Sequence, residues 1–275
     1  MTWHKRRVLV VVKAAPERSK KYGECVCTAG ITEEGEFIRL YPISLDVFRH
    51  GPRFKKFSWI EVECERVEGE KLARKESHRI REGSIRVVDT SLTESPVDWA
   101  GREKLLAPLR SPSVESLVEA FDRDRTSLGF IRVGDLQRFY KSEEPNAPGA
   151  KELRTMQATF DAMGGMGRPK WILNQIPHVF RYKFRCDVPA EGCHGHDMTC
   201  EDWELFESNR KWPQHYGTPE LLWEKLHDRY YTKMKEADLQ FFMGTESRYG
   251  SWLVVGLYYP RKGEAPFTSP RSMNT

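Results

Sequence analysis

Cys186, Cys193, His196 and Cys200 bring three thiols and one imidazole into fifteen residues of chain. Thiolate and imidazole are the donors zinc prefers, and a closed tetrahedral site takes four of them. The spacing Cys-x6-Cys-x2-His-x3-Cys supplies that number, and Gly192 and Gly195 flank Cys193 so that backbone can wrap closely round an ion. It lacks the paired Cys-x2-Cys of zinc fingers, so a second reading stays open: reduced cysteines beside a surface histidine. His194 and Asp197 are substitutes should Cys200 point elsewhere. Thr199 reads as the N-cap of a helix opening Glu201-Asp202-Trp203-Glu204, with Cys200 in its first turn, where the helix dipole favours a thiolate. The expectation is a structural zinc. The acids Asp202 and Glu204 beside it keep a catalytic metal in view, and with it a metal-dependent nuclease or other hydrolase.

Immediately upstream, Val179 to Cys186 alternates with period two. Phe180, Tyr182, Phe184 and Cys186 share one face, and Arg181, Lys183 and Arg185 share the other. Cations about 7 Å apart along a strand match the phosphate spacing of an extended nucleic-acid backbone, so the three form a candidate phosphate track. An ordinary solvated face with acidic neighbours is the competing reading. A second candidate patch joins Lys13, in a basic stretch after the first strand, to Arg39 and Tyr41 on a neighbouring one, where a cation could meet phosphate and a ring could stack a base. The chain contains no Gly-x-Ser-x-Gly, no phosphate-binding glycine loop ending in Lys-Ser/Thr and no His-Glu-x-x-His. No reaction is therefore assigned.

The elements that must position these residues are short and mostly extended in the first half. Strands are expected over 7–13, 24–31, 36–42, 57–67 and 84–89, a spacing that suits a small β-barrel of OB or SH3 type. A helix follows at 112–121, capped by Ser111, and another strand over 130–140. The polar, turn-rich Glu143 to Gly149 reads as the domain boundary. Beyond it come a helix at 151–163, the alternating strand, the helix after the cysteines and a helix opened by Thr218-Pro219-Glu220. A hairpin of 238–244 with 251–259 closes the set, and Trp252 to Leu257 lacks alternation, so both its faces should be buried. The fold class expected is α+β: an N-terminal OB/SH3-like barrel with appended helix and strand (1–142), a mixed lobe stapled by zinc (150–260) and a disordered tail (261–275). No internal repeat is visible.

In 275 residues, 44 cations against 40 anions leave a net charge of +4, a mild bias toward anionic partners. Mean hydropathy is −0.64 and no run approaches the roughly 18 apolar residues of a membrane span. A cytoplasmic location is expected, where six cysteines more often mean metal or free thiol than disulfide.

Several segments carry a resemblance: 20–31 (Lys-Lys-Tyr-Gly-Glu-Cys-Val-Cys-Thr-Ala-Gly-Ile), 37–43, 54–60, Cys193-His194-Gly195-His196 through Asp202-Trp203-Glu204, and Phe241 to Thr245. Together they resemble an uncharacterised family of prokaryotic proteins of about this length, and the N-terminal part is more distantly similar to dual-OB domains. The resemblance implies an OB-type barrel and a nucleic-acid context, in mobile-element or phage-defence settings, and carries no catalytic residue. Three functions remain in competition: a DNA- or RNA-binding protein using Arg181, Lys183 and Arg185 with Lys13, Arg39 and Tyr41; a metal-dependent hydrolase; and a protein-interaction subunit.

Overall fold

Val8 to Val12 lacks alternation for a structural reason: both faces of its strand are covered. Within β1 (His4–Lys13), Val8 and Val10 point into one apolar core while Leu9 and Val11 point into another. The computed structural model describes residues 2–19, 23–45, 47, 54–67, 74–143, 178–246 and 250–264. The helix expected at 151–163 lies outside the described residues, as do the polar stretch 144–149 and all of the tail after residue 264.

β1 pairs antiparallel with β4 (Thr28–Thr32) on one side and β6 (Trp59–Arg66) on the other. β4 continues to β5 (Phe37–Tyr41), β5 pairs in parallel with β7 (Ser77–Ile80), and β7 returns to β6, which closes a ring of five strands. β8 (Arg86–Asp89) hangs on β6, and the hairpin of β2 (Glu17–Ser19) with β3 (Gly23–Cys25) stands apart.

The same circuit occurs again. β10 (Leu128–Glu143) pairs with β11 (His178–Cys186) and with β13 (Gln240–Thr245). β11 pairs with β12 (His196–Cys200), β12 in parallel with β14 (Trp252–Tyr258), and β14 with β13. Counted within each barrel, both rings run 1-2-3-5-4 and back to 1, with strands three and five parallel. This is an OB-like order of a five-stranded Greek-key barrel. In each, the long first strand carries bulges, at Val10/Val12 and at Val133/Asp135 and Leu136/Arg138, which bend it enough to serve two neighbours. The class is α+β, as expected, with a second barrel where a mixed lobe was expected.

Sheet pairing moves the boundary. β9 (Arg110–Ser111) and β10 belong to the second barrel, so the expected first domain ending at 142 includes strands that hydrogen-bond with the other one. α1 (Trp99–Leu106) lies between the two barrels in the chain, and α2 (Val114–Asp124) follows β9 and packs on the second. The cap of α2 is Ser113, in a reciprocal capping box with Ser116; the expected cap, Ser111, is in β9. After β12 come α3 (Trp203–Lys211), α4 (Pro213–Tyr216) and α5 (Pro219–His227), capped by Thr218 as read from the sequence. A π-turn (Asp228–Thr232) leads into α6 (Lys233–Glu236), and Leu226, Tyr230 and Met234 plug the second barrel.

Three apolar cores result. Val8, Val10, Ile38, Leu40 and Ile60 fill the first barrel; Ile131, Tyr182, Phe184, Phe241 and Val254 fill the second. Leu9, Val11, Ala29, Ile31, Phe130, Phe242, Val255 and Tyr258 form the third, between them. This explains the unalternating β14: Val254 faces its own barrel and Val255 the junction. Polar bonds lock the same junction, with Glu76 accepting from the Ser127 amide (2.9 Å) and hydroxyl (2.7 Å) and Arg74 donating to the Thr245 carbonyl (2.9 Å). Among the described residues, no helix is long and apolar enough to cross a membrane.

Candidate functional site

β11 is the second strand of the second barrel's circuit and its alternation is as read: Phe180, Tyr182, Phe184 and Cys186 are buried, while Arg181, Lys183 and Arg185 face outward. Across the ladder, Tyr140 lies opposite Arg181 and Arg138 opposite Lys183, so β10 widens the cationic strip and adds an aromatic ring to it. The Arg138 guanidinium sits 4.6 Å from the Tyr140 ring centre. One acid interrupts the strip. Asp197 on β12 accepts from the Arg181 Nε (3.0 Å) and the Tyr140 hydroxyl (2.7 Å) and lies 3.5 Å from the Lys183 ammonium. Partial burial works to raise its pKa, but these donors and charges prevail and hold the Asp197 carboxyl below the ordinary carboxylate range. Arg185, beyond the reach of that arrangement, is exposed.

The second expected patch does not form. Arg39 is 3% exposed: its guanidinium donates to the Ser127 carbonyl (3.1 Å) and the Cys27 sulfur (3.1 Å), holding the barrels together. β4 and β5 are the first barrel's counterparts of β11 and β12, and the second barrel covers them. The nucleic-acid roles expected of Arg39 and of its patch are therefore corrected: Arg39 is a junction residue, and Tyr41 is half-buried. Lys13 is buried as well, but against a cavity rather than on that face.

Of the four expected metal ligands, two are brought together. Cys193 Sγ and His196 Nε2 are 3.5 Å apart, and Glu115 Oε1, from the first turn of α2, lies 3.4 Å from the same nitrogen. One ligand atom from each of the three lies within 4.8 Å of the others. Cys200 is excluded by geometry: it sits four residues along β12 from His196, ~13 Å away at strand rise, and is buried in the second barrel's core. The expected cap at Thr199 is corrected with it, since β12 runs on to Cys200 and α3 starts after Asp202. Cys186 stands just outside the trio. Its thiol accepts from the Val114 amide, feels the charges of Glu115 and Cys193, and is pushed up to about 11, chiefly by burial.

The trio fits a metal on two counts. Glu115 Oε2 is buried with no hydrogen-bond partner, an orphan acceptor of the kind an ion satisfies. Separations of 3.4 and 3.5 Å also match the edges of a tetrahedron, roughly 3.3–3.7 Å, around zinc with bonds of about 2.0–2.3 Å. Burial lowers the His196 pKa against the pull of Glu115, which favours the neutral ring, the form that ligates metal.

The acids expected to assist a catalytic metal are elsewhere. Asp202 is 1% exposed and caps α3, accepting from the Glu204 and Leu205 amides through Oδ1 and from Lys56 Nζ and the Leu257 amide through Oδ2. Glu204 lies on the wall of a cavity of about 340 Å³ between the barrels. The motivation for a hydrolase at the cysteine cluster is thereby removed.

Residues 4–108 match the family model described as "Domain of unknown function (DUF8758)", and residues 110–274 the one described as "Domain of unknown function (DUF8757)". The second match takes in more than half of the chain. The chain belongs to the DUF8757 family. The two matches meet where the sheet pairing divides, between α1 and β9. No curated protein matches the chain in sequence. Among solved structures, one described as "Structure and Conformational Change of a Replication Protein A Heterotrimer Bound to ssDNA" is similar at 8% identity and a TM-score of 0.35, over 94% of this chain and 49% of that one. The chain thus spans about half the length of that structure's chain.

Sequence reasoning missed Glu115, Asp197's place between two cations, and the cavity residues Lys56, Trp99, Arg102 and Trp203. Glu115 carried no local signal, because it reaches the cysteine loop from a helix far upstream. Asp197 stood in the sequence only as a spare metal ligand; the register of β12 on β11 puts it opposite Lys183, within side-chain reach of Arg181.

Proposed function

We propose that the chain is a cytosolic protein that binds single-stranded nucleic acid on the outer face of β10, β11 and β12. The observation that carries this is the position of Arg181, Lys183 and Arg185: they point outward from the second strand of an OB-like barrel, beside β12, its third. The outer face of strands two and three is where such barrels hold oligonucleotides. Cations alternating along an extended strand, with Arg138 and Tyr140 alongside, suit a backbone track with a stacking ring. In the first barrel the corresponding face is covered, which leaves one track. All six cysteines are free thiols, in keeping with a reducing compartment.

In the same proposal, Glu115, Cys193 and His196 hold a structural zinc, with Cys186 or a water in the fourth position. It would tie α2 to the connection between β11 and β12, and so stiffen the edge that carries Arg185. The metal supplies no chemistry here beyond that cross-link.

Fluorescence anisotropy of a labelled single-stranded oligonucleotide tests the reading. Binding at low salt should weaken steeply as salt is added, because displaced counterions return to the strand. Absence of binding at low salt, or indifference to salt, would contradict it.

A further inference from the structure

The cavity between the barrels brings cations and aromatic rings into one wall. Four cations line it: Lys13 at the end of β1, Lys55 and Lys56 before β6, and Arg102 on α1. Lys13, Lys56 and Arg102 are each less than a tenth exposed. Two half-buried indoles, Trp99 of α1 and Trp203 of α3, stand in the same wall, with Tyr258 and Tyr259 behind them.

These cations are not equivalent. Lys56 is committed to the protein through Asp202 and the Leu257 carbonyl. Arg102 donates to the Leu92 carbonyl through Nε and Nη2, while its Nη1 has no hydrogen-bond partner among the described residues. Its plane is pressed on the Phe57 ring, 3.8 Å from the ring centre, and lies 5.0 Å from that of Trp99. The Lys13 ammonium is 5.0 Å from the Trp203 ring centre and makes a long 3.3 Å bond to the Phe54 carbonyl. Each indole therefore stands beside a cation, Trp99 by Arg102 and Trp203 by Lys13. One carboxylate, Glu204, is exposed on the wall and offers an acceptor to a ring N–H or amino group.

We propose that this cavity binds a mononucleotide, its phosphate between Lys13, Lys55 and Arg102 and its base against Trp203. The cations select an anion, the Trp203 indole selects a planar ring, and Glu204 selects against an anion with no N–H to donate. A volume of about 340 Å³ sits at the small end of the roughly 300–1,000 Å³ of ligand pockets, enough for one nucleotide and too small for a run of them. The cavity uses none of the cations of β11, so it is independent of the strand face.

Tryptophan fluorescence of the full chain, titrated with AMP, CMP, GMP and UMP, tests the site, with adenosine and inorganic phosphate as controls. At least one monophosphate should quench saturably at micromolar to millimolar concentration. It should bind about ten-fold or more tighter than adenosine or phosphate alone, and Trp203→Leu and Lys13→Gln should each weaken it by about ten-fold. Trp203 is half-exposed, so its variant remains informative if Lys13→Gln does not fold. Absence of saturable quenching by all four nucleotides overturns the proposal. So does phosphate binding as tightly as the nucleotides, which would mark an anion site only, or affinity unchanged in Trp203→Leu by calorimetry.

Discussion

Lys56 and Asp202 form a buried ion pair across the junction of the two barrels, 3.0 Å from ammonium to carboxylate, with neither side chain more than a tenth exposed. Burial alone would lower the Lys56 pKa; the charges of Asp202 and Glu204 outweigh it and raise it. The same carboxylate caps α3 and holds the Leu257 amide, so one side chain fixes a helix start, a strand end and the other barrel's lysine.

Asp202→Asn separates these roles. Asparagine is a good N-cap, so α3 keeps its start while buried Lys56 loses its close partner and keeps only the exposed Glu204 carboxylate, 3.9 Å away. Denaturant unfolding should show a loss of about 3 kcal/mol or more. A loss under about 1 kcal/mol, the scale of an exposed pair, would mean the junction is wetter than the structure shows.

Lys13 carries the opposite signature. Burial, opposed by Glu204 and Glu207 and aided by Lys56 and Lys211, lowers it from 10.5 to about 8. Between pH 8 and 10.5 the unfolded chain then binds the extra proton, so this residue's contribution to stability rises with pH by at most about 3 kcal/mol. Buried thiols pull the other way above pH 9, Cys64 and Cys186 each being pushed up to about 11. The comparison is therefore between the wild type and Lys13→Met: the variant's advantage at pH 7 should shrink toward pH 10. An advantage constant with pH would contradict the assignment.

Much of this was legible in the sequence, and the failures have one cause. The period-two pattern of 179–186 gave the right faces, because a barrel strand has an inside and an outside. Arg39 sits in an equally plausible strand, yet its outside is covered by the second barrel, which no local pattern reveals. The doubled circuit was invisible for the same reason: the barrels share connectivity rather than residues, and the closing parallel pairs β5–β7 and β12–β14 join distant segments. His-Asp-Met-Thr-Cys of β12 reads as ligands leading into a helix cap, because the partners that make it a strand are supplied by β11 and β14.

The metal assignment separates by residue. Elemental analysis of purified protein should find about one zinc per chain. Glu115→Gln, Cys193→Ser and His196→Ala should each lower that content sharply, and Cys200→Ser should leave it unchanged while destabilising the core. Loss of zinc in Cys200→Ser, with the fold intact, would restore the ligand set read from sequence.

Asp197 competes with phosphates for Arg181 and Lys183. Asp197→Asn should therefore tighten oligonucleotide binding, by about three- to ten-fold at low salt, with the gain shrinking as salt screens the site. Weaker binding in this variant would show that Asp197 orients the cations rather than occupying them.

The most direct test of the central claim is the salt slope of oligonucleotide binding in the wild type and in an Arg181→Gln/Lys183→Gln/Arg185→Gln variant. If the three cations each neutralise a phosphate, the variant's log–log slope should be shallower by about 2, and the wild type should lose at least about fifteen-fold in affinity for each four-fold rise in salt. The same slope and affinity in both proteins would contradict the account, since the strand would then face solvent without touching nucleic acid.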